Sequence, residues 1–193
     1  MPLRFLGPFG GSTSDAVLAV NYAVANGAPI SNNSWGGGGF SSSLSNAISN
    51  ARNNNHLFVA AAGNDGRNID SNPAYPAAYS QDNIISVASV DNRDNIAGTS
   101  NYGVGSVDLG APGVNIASTY SGSSYVWSSG TSMASPHVAG AAAILLAQNP
   151  TWSYAQIRDA IYANVRPTSA MSTRVATGGV LDLQAALGGG GGN

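Results

Sequence analysis

The chain has 193 residues, long enough for one domain with a substantial core. Hydrophobic residues make up 43% and charged residues 8%, which excludes a disordered chain and leaves a surface of Gly, Ser, Asn and Thr. A net charge of −2 without charge runs, the lack of cysteine and the shortness of every apolar run exclude a nucleic-acid footprint, disulfide or thiolate chemistry, and a spanning helix.

In chain order, LRFL (Leu3 to Leu6) reads as a short apolar strand. Val17, Val20 and Val24 recur at helical spacing, so Asp15 to Asn26 reads as a helix stopped by Gly27. APISNNSW reads as a strand ending at Ser34 and Trp35, before the break at Gly36 to Gly39. Leu44, Ala47, Ile48 and Ala51 mark a second amphipathic helix. HLFVAAAGN is a buried-type strand running into a Gly-Asn turn, and NIISVASV (Asn83 to Val90) is another strand. SVDLGAPGVNIAST reads as two short strands around a turn. Ala134 to Gln148 reads as a helix buried all round, closed by Asn149-Pro150. Thr151 or Ser153 caps a further helix through Asn164.

Strand and helix alternate at a spacing that predicts an α/β fold of three layers, a mostly parallel sheet with helices on both faces. Such folds place ligands at the carboxyl ends of strands. Three motifs fall at or beside such ends. SGTSMASPHVAG puts Ser132 at the mouth of the long helix. A serine there is ordinarily an N-cap. It is also where unpaired backbone N–H groups favour a developing oxyanion. Asn64, after LFVAAAG, is either a plain turn residue or a side-chain donor to that oxyanion. Ser34, Trp35 and Gly36 form either a flexible loop or an edge that an extended peptide joins as an added strand.

These segments together resemble the subtilisin family of serine proteases. GTSMASPHVAG resembles its nucleophile motif, VAAAGNDG its oxyanion-asparagine motif, and SNNSWGG its substrate-binding strand. YPA and LGAPGVNIAST follow in the family's order, so the likeness runs from about Leu3 to Leu187. The resemblance implies Ser132 as nucleophile, with Asn64 and the Ser132 N–H as oxyanion donors. It implies Ser34, Trp35 and Gly36 on the substrate backbone, with Ala61, Ala62, Gly63 and Thr131 around the S1 pocket. Met133 would be an oxidation-sensitive neighbour. No cofactor is required; a weak structural calcium is implied at Asp108 with the carbonyls of Pro76 and Ala78. Location would be extracellular, although MPLRFLGPFGG has no long apolar core, so an export signal is expected outside the chain.

The family's triad aspartate and histidine motifs do not occur in this sequence. The chain is therefore expected to lack the first strands, with residues 1–187 a partial catalytic domain and 188–193 a flexible Gly-rich tail. It has two histidines. His137 lies ~7.5 Å along the helix from Ser132 and on another face; the resemblance makes it structural. His56 precedes the strand ending near Asn64 by up to ~26 Å of extended chain. GTSMA is close to an α/β-hydrolase elbow, but that class needs a histidine later in the chain than any present here. The expected function is peptide-bond hydrolysis through Ser132, weak in this chain alone. The alternatives are a non-catalytic peptide-binding or regulatory relative, or one half of a complemented protease. The partners expected are a peptide or protein substrate and either a second copy or a complementary N-terminal fragment.

Overall fold

Side chains alternate faces along a strand, so a strand covered on both sides must be apolar at every position. Two strands are buried throughout: β2 (Leu57–Ala61) meets that condition fully, and β3 (Ile84–Val90) meets it at every position but Ser86 and Ser89. They sit inside a six-stranded sheet in the order β1-β2-β3-β4-β8-β7. The others are β1 (Ile30–Asn33), β4 (Leu109–Pro112), β7 (Arg166–Pro167) and β8 (Gly179–Val180). All neighbours are parallel except β7, which runs antiparallel to β8. The computed structural model describes residues 1–188, so 189–193 of the expected tail lie outside the described residues.

Leu57, Val59, Ile85 and Val87 point to one face and pack against α3 (Thr131–Gln148) and α4 (Tyr154–Ala163). Phe58, Ala60, Ala88 and Val90 point to the other, against α1 (Thr13–Ala25) and α2 (Ser42–Asn53). The fold is thus the expected three-layer α/β arrangement. A separate antiparallel hairpin, β5 (Ile116–Tyr120) with β6 (Ser124–Ser128), leads into α3. A short α5 (Leu183–Ala186) follows β8.

The register brings the site together. Ile30 stands opposite Leu57 and Asn33 opposite Ala60. The carboxyl ends of β1 and β2 are therefore level, and Ser34 emerges beside the Ala61–Gly63 turn.

Four sequence expectations need correction. Leu3 to Leu6 forms no ladder; only Gly7 and Gly10 bridge there. Apolar residues alone do not make a strand without a partner for the backbone. The first helix starts two residues early, because Ser12 caps it by accepting from the Asp15 N–H. Helix α3 starts at Thr131 with Gly130 as N-cap, so Ser132 is inside the first turn and caps nothing. The same helix is not buried all round: Pro136, His137, Gly140, Ala143, Ile144 and Ala147 are exposed. Composition alone could not separate its two sides, since small and apolar residues occur on both. Ser153 rather than Thr151 caps α4, in a reciprocal pair with Gln156.

Candidate active site

Gly130 starts the site. Its φ of +147° is a conformation that L side chains rarely adopt. A Cβ there would also lie 3.3 Å from Asn64 Oδ1. The glycine lets the chain turn sharply from β6 into α3 and bring Thr131 against Asn64.

The first-turn N–H groups of a helix lack helical acceptors. Here they have distinct fates. The Thr131 N–H donates to Asn64 Oδ1 at 2.9 Å. Met133 and Ala134 both donate to the Gly130 carbonyl. The Ser132 N–H has no acceptor among the described residues.

Thr131, wholly buried, fixes Asn64. Its hydroxyl donates to Asn64 Oδ1 at 3.1 Å and accepts from the Gly63 N–H at 3.1 Å. With two donors on Oδ1, the amide NH2 of the exposed Asn64 must face away from Thr131. That NH2 has no acceptor among the described residues. Two free donors, Asn64 Nδ2 and the Ser132 N–H, thus border one cleft.

Pro136 sets the other side. It has no N–H to give to the Ser132 carbonyl four residues earlier. That carbonyl instead accepts from Ser34 Oγ at 2.9 Å. The Ser132 hydroxyl makes only a long 3.4 Å contact to the Ser34 carbonyl. Asn32 reinforces the link: it accepts from the buried Ser135 hydroxyl at 2.7 Å and donates to Ser34 Oγ at 3.1 Å.

Asn101, which sequence reasoning missed, holds the Asn64 loop. It is completely buried. Its Oδ1 accepts from the N–H groups of Asp65 and Arg67, and its Nδ2 donates to the Ala62 carbonyl at 2.9 Å. Its own N–H donates to the Gly63 carbonyl.

Ser34, Trp35, Gly36, Ala61, Ala62, Gly63, Asn64, Thr131 and Ser132 all line a cleft of about 420 Å³. Asp65, Arg67, Ala74 and Tyr75 complete much of its wall. Trp35 is only partly a wall residue. Its ring packs edge-on against Phe5 and Phe58, and its Nε1–H donates to Asn33 Oδ1 at 3.2 Å.

Neither histidine lines this cleft. His137 is exposed, with Nδ1 2.8 Å from the Met133 carbonyl in its own helix. His56 is 1% exposed, at the amino end of β2. Its ring nitrogens meet the Ala28 carbonyl at 2.6 Å and Ser31 Oγ at 2.8 Å. Burial lowers its pKa, partly offset by the Ala28 hydrogen bond.

The residues implied for a calcium fit it poorly. Asp108 Oδ2 accepts from the Ser86 N–H at 2.7 Å. Burial raises its pKa to about 6, which disfavours the ionised oxygens a hard cation needs. The Pro76 carbonyl accepts from the Tyr79 N–H at 3.2 Å. Among the described residues no three acidic or histidine side chains are grouped for a metal. No calcium step enters below.

Comparison with known proteins bears on this geometry. The model of the subtilase family, Peptidase S8, matches residues 1–186. The chain belongs to the subtilase family. It is 41% identical over 185 residues to subtilisin Savinase of Lederbergia lenta, covering 95% of this chain and 66% of that relative. An alkaline protease of Shouchella clausii is also 41% identical over 185 residues, with coverage of 95% and 47%. This subtilase chain therefore spans less than two thirds of the length of these curated relatives. In three dimensions it is similar to the prenylagaramide maturation protease PagA, with a TM-score of 0.84 at 28% identity, covering 100% of this chain and 73% of that one.

Proposed function

We propose that this subtilase chain carries the nucleophile, oxyanion site and substrate-binding strand of a serine endopeptidase. The observation that carries the reading is the pair of donors without acceptors, Ser132 N–H and Asn64 Nδ2, beside the Ser132 hydroxyl. Ser132 Oγ attacks the scissile carbonyl and its proton passes to a base. The carbonyl oxygen becomes an oxyanion between the two donors, and the leaving amine takes the proton back as the acyl-enzyme forms. Water then releases the acid by the same route reversed. The substrate backbone lies along Ser34 to Gly36 as an added strand.

The base and the aspartate that orients it come from outside residues 1–193. His56 and His137 are both held elsewhere, which supports this part of the reading. The substrate is a peptide or protein, and the location is extracellular. A second reading, a peptide-binding module without cleavage, is favoured by the absence of a histidine in the cleft.

Fluorophosphonate labelling separates the two. Supplying the chain with an upstream segment that carries histidine and aspartate motifs is expected to raise the rate of Ser132 labelling by at least about 10³-fold. Ser132→Ala is expected to abolish labelling. No acceleration by any such segment would favour the binding module. Turnover by the chain alone at a full protease rate would mean that the base lies within it.

A further inference from the structure

We propose that the cleft beside Ser132 recognises a carboxylate-bearing side chain, Asp or Glu, through Arg67. The inference rests on the reading of this cleft as the pocket for the residue before the scissile bond.

The argument starts from what the cleft contains. Its lining includes two charged side chains, Asp65 and Arg67. The rest of the wall is neutral: Trp35, the backbone of Ala61 to Gly63, Ala74 and Tyr75. A neutral slot accepts an apolar side chain without preference for charge. A slot holding a charge with no bonded partner does not.

Arg67 carries such a charge on its terminal nitrogens, while its Nε faces Asp65 in a loose ion pair and its side chain is 40% exposed. Its Nε is buried and makes no hydrogen bond. The nearest acid, Asp65, stands 3.5 Å from Nε, beyond good hydrogen-bond length. Nη1 and Nη2 make no hydrogen bond among the described residues. A guanidinium with a desolvated root and a free two-nitrogen edge is suited to a planar carboxylate, which it can grip with two parallel hydrogen bonds.

Asp65 does not reverse the preference. Its Oδ2 is shared by Arg67 Nε and Asn101 Nδ2, each at 3.5 Å, and its side chain is 60% exposed. It is the better solvated of the two. The terminal nitrogens of Arg67 are the groups left in the cleft to receive an anion. The backbone here is also firmly set, because the Arg67 N–H donates to the buried Asn101 Oδ1 at 3.2 Å.

The test uses the whole 193-residue chain with Ser132→Ala, so that binding is read without chemistry. Fluorescent hexapeptide amides differ at one position: Glu, Gln, Leu, Phe or Lys. Fluorescence anisotropy at low salt is expected to rank Glu first, about tenfold tighter than its neutral isostere Gln, the equivalent of about 1.4 kcal/mol. The preference should shrink as salt screens the pair. Arg67→Gln should erase the Glu-over-Gln ratio and change Leu binding less than about twofold. Asp65→Asn, which leaves Arg67 in place, should widen the ratio. That second variant keeps the test decisive if Arg67→Gln does not fold.

Equal binding of Glu and Gln, tighter binding of Leu, Phe or Lys, or a ratio that survives Arg67→Gln in a folded protein overturns the proposal. Fluorophosphonate labelling of the unmutated chain supplied with the upstream histidine and aspartate segment reports on the protease reading separately. Normal labelling without a Glu preference defeats this inference alone. Arg67-dependent Glu binding without labelling supports it and defeats the protease reading alone.

Discussion

The two ends of the parallel sheet are built from the same materials and finished differently. At the amino end, His56 and Asn83 are buried and tied to carbonyls: His56 to Ala28, Asn83 to the carbonyls of Ile48 and His56 itself. Those donors are occupied. At the carboxyl end, Thr131, Ser135 and Asn101 are just as buried, and they too are bonded. Their bonds, however, hold other groups open: Asn64 Nδ2, the Ser132 N–H and the Arg67 guanidinium edge. Buried polar networks thus do two jobs. One fastens the layers; the other points free donors at a cleft.

The sharpest way to break the contrast is at Thr131. Thr131→Val keeps the shape and removes the hydroxyl that joins Gly63 to Asn64. Asn64 then keeps only the backbone N–H of residue 131 on its Oδ1, and the rate of Ser132 labelling by fluorophosphonate should fall by about 10-fold, up to the roughly 10²-fold cost of losing an oxyanion donor outright. Thermal stability should change far less. A rate unchanged within twofold would mean that Asn64 is held by something else.

The amino end should respond in the opposite way. His56→Ala leaves the Ala28 carbonyl without a partner, leaves the Ser31 hydroxyl only its bond from Asn33, and opens a cavity, so unfolding free energy should drop by about 2–4 kcal/mol, while labelling at Ser132 stays the same. The pH dependence has a definite sign. Burial holds the folded pKa of His56 below its unfolded value of about 6.5. Between those two values the unfolded chain binds the extra proton. The His56 contribution is therefore complete above about pH 6.5 and is lost as the pH falls toward the folded pKa. Urea unfolding across that window should show the slope in the native chain and a flatter curve in His56→Gln. Parallel curves would remove His56 from the account.

The smallest effect sharpens the contrast by showing what an ordinary polar contact is worth here. Ser153→Ala removes the α4 cap and should lower stability by about 1 kcal/mol with no change at the cleft, measured by urea midpoint and labelling together.

The sequence displayed some of this well. The apolar runs of β2 and β3 read as strands because burial on both faces leaves no room for alternation. Ser34, Asn64 and Ser132 stood out because each sits at or beside a strand end or helix start, where local pattern is strongest. The supports did not stand out. Asn101 lies 36 residues from Asp65, and Ser135 lies 103 from Asn32. Nothing local marks a buried asparagine as a loop clamp in a chain rich in asparagine. The expectation that Ser132 might simply cap its helix failed for a related reason: the cap is set by the backbone at Gly130, which only the folded turn reveals. Arg67 was passed over because its meaning depends on which nitrogens lack partners.

Pro136 has one further consequence. By withholding an N–H, it turns the Ser132 carbonyl into an anchor for Ser34. Under the proposed function, a peptide that aligns along Ser34 to Gly36 is therefore measured from the same peptide unit that carries Ser132. Which bond would be presented for attack is then a matter of spacing fixed in the folded chain, and lengthening the run of glycines after Trp35 would alter what fits without moving that register.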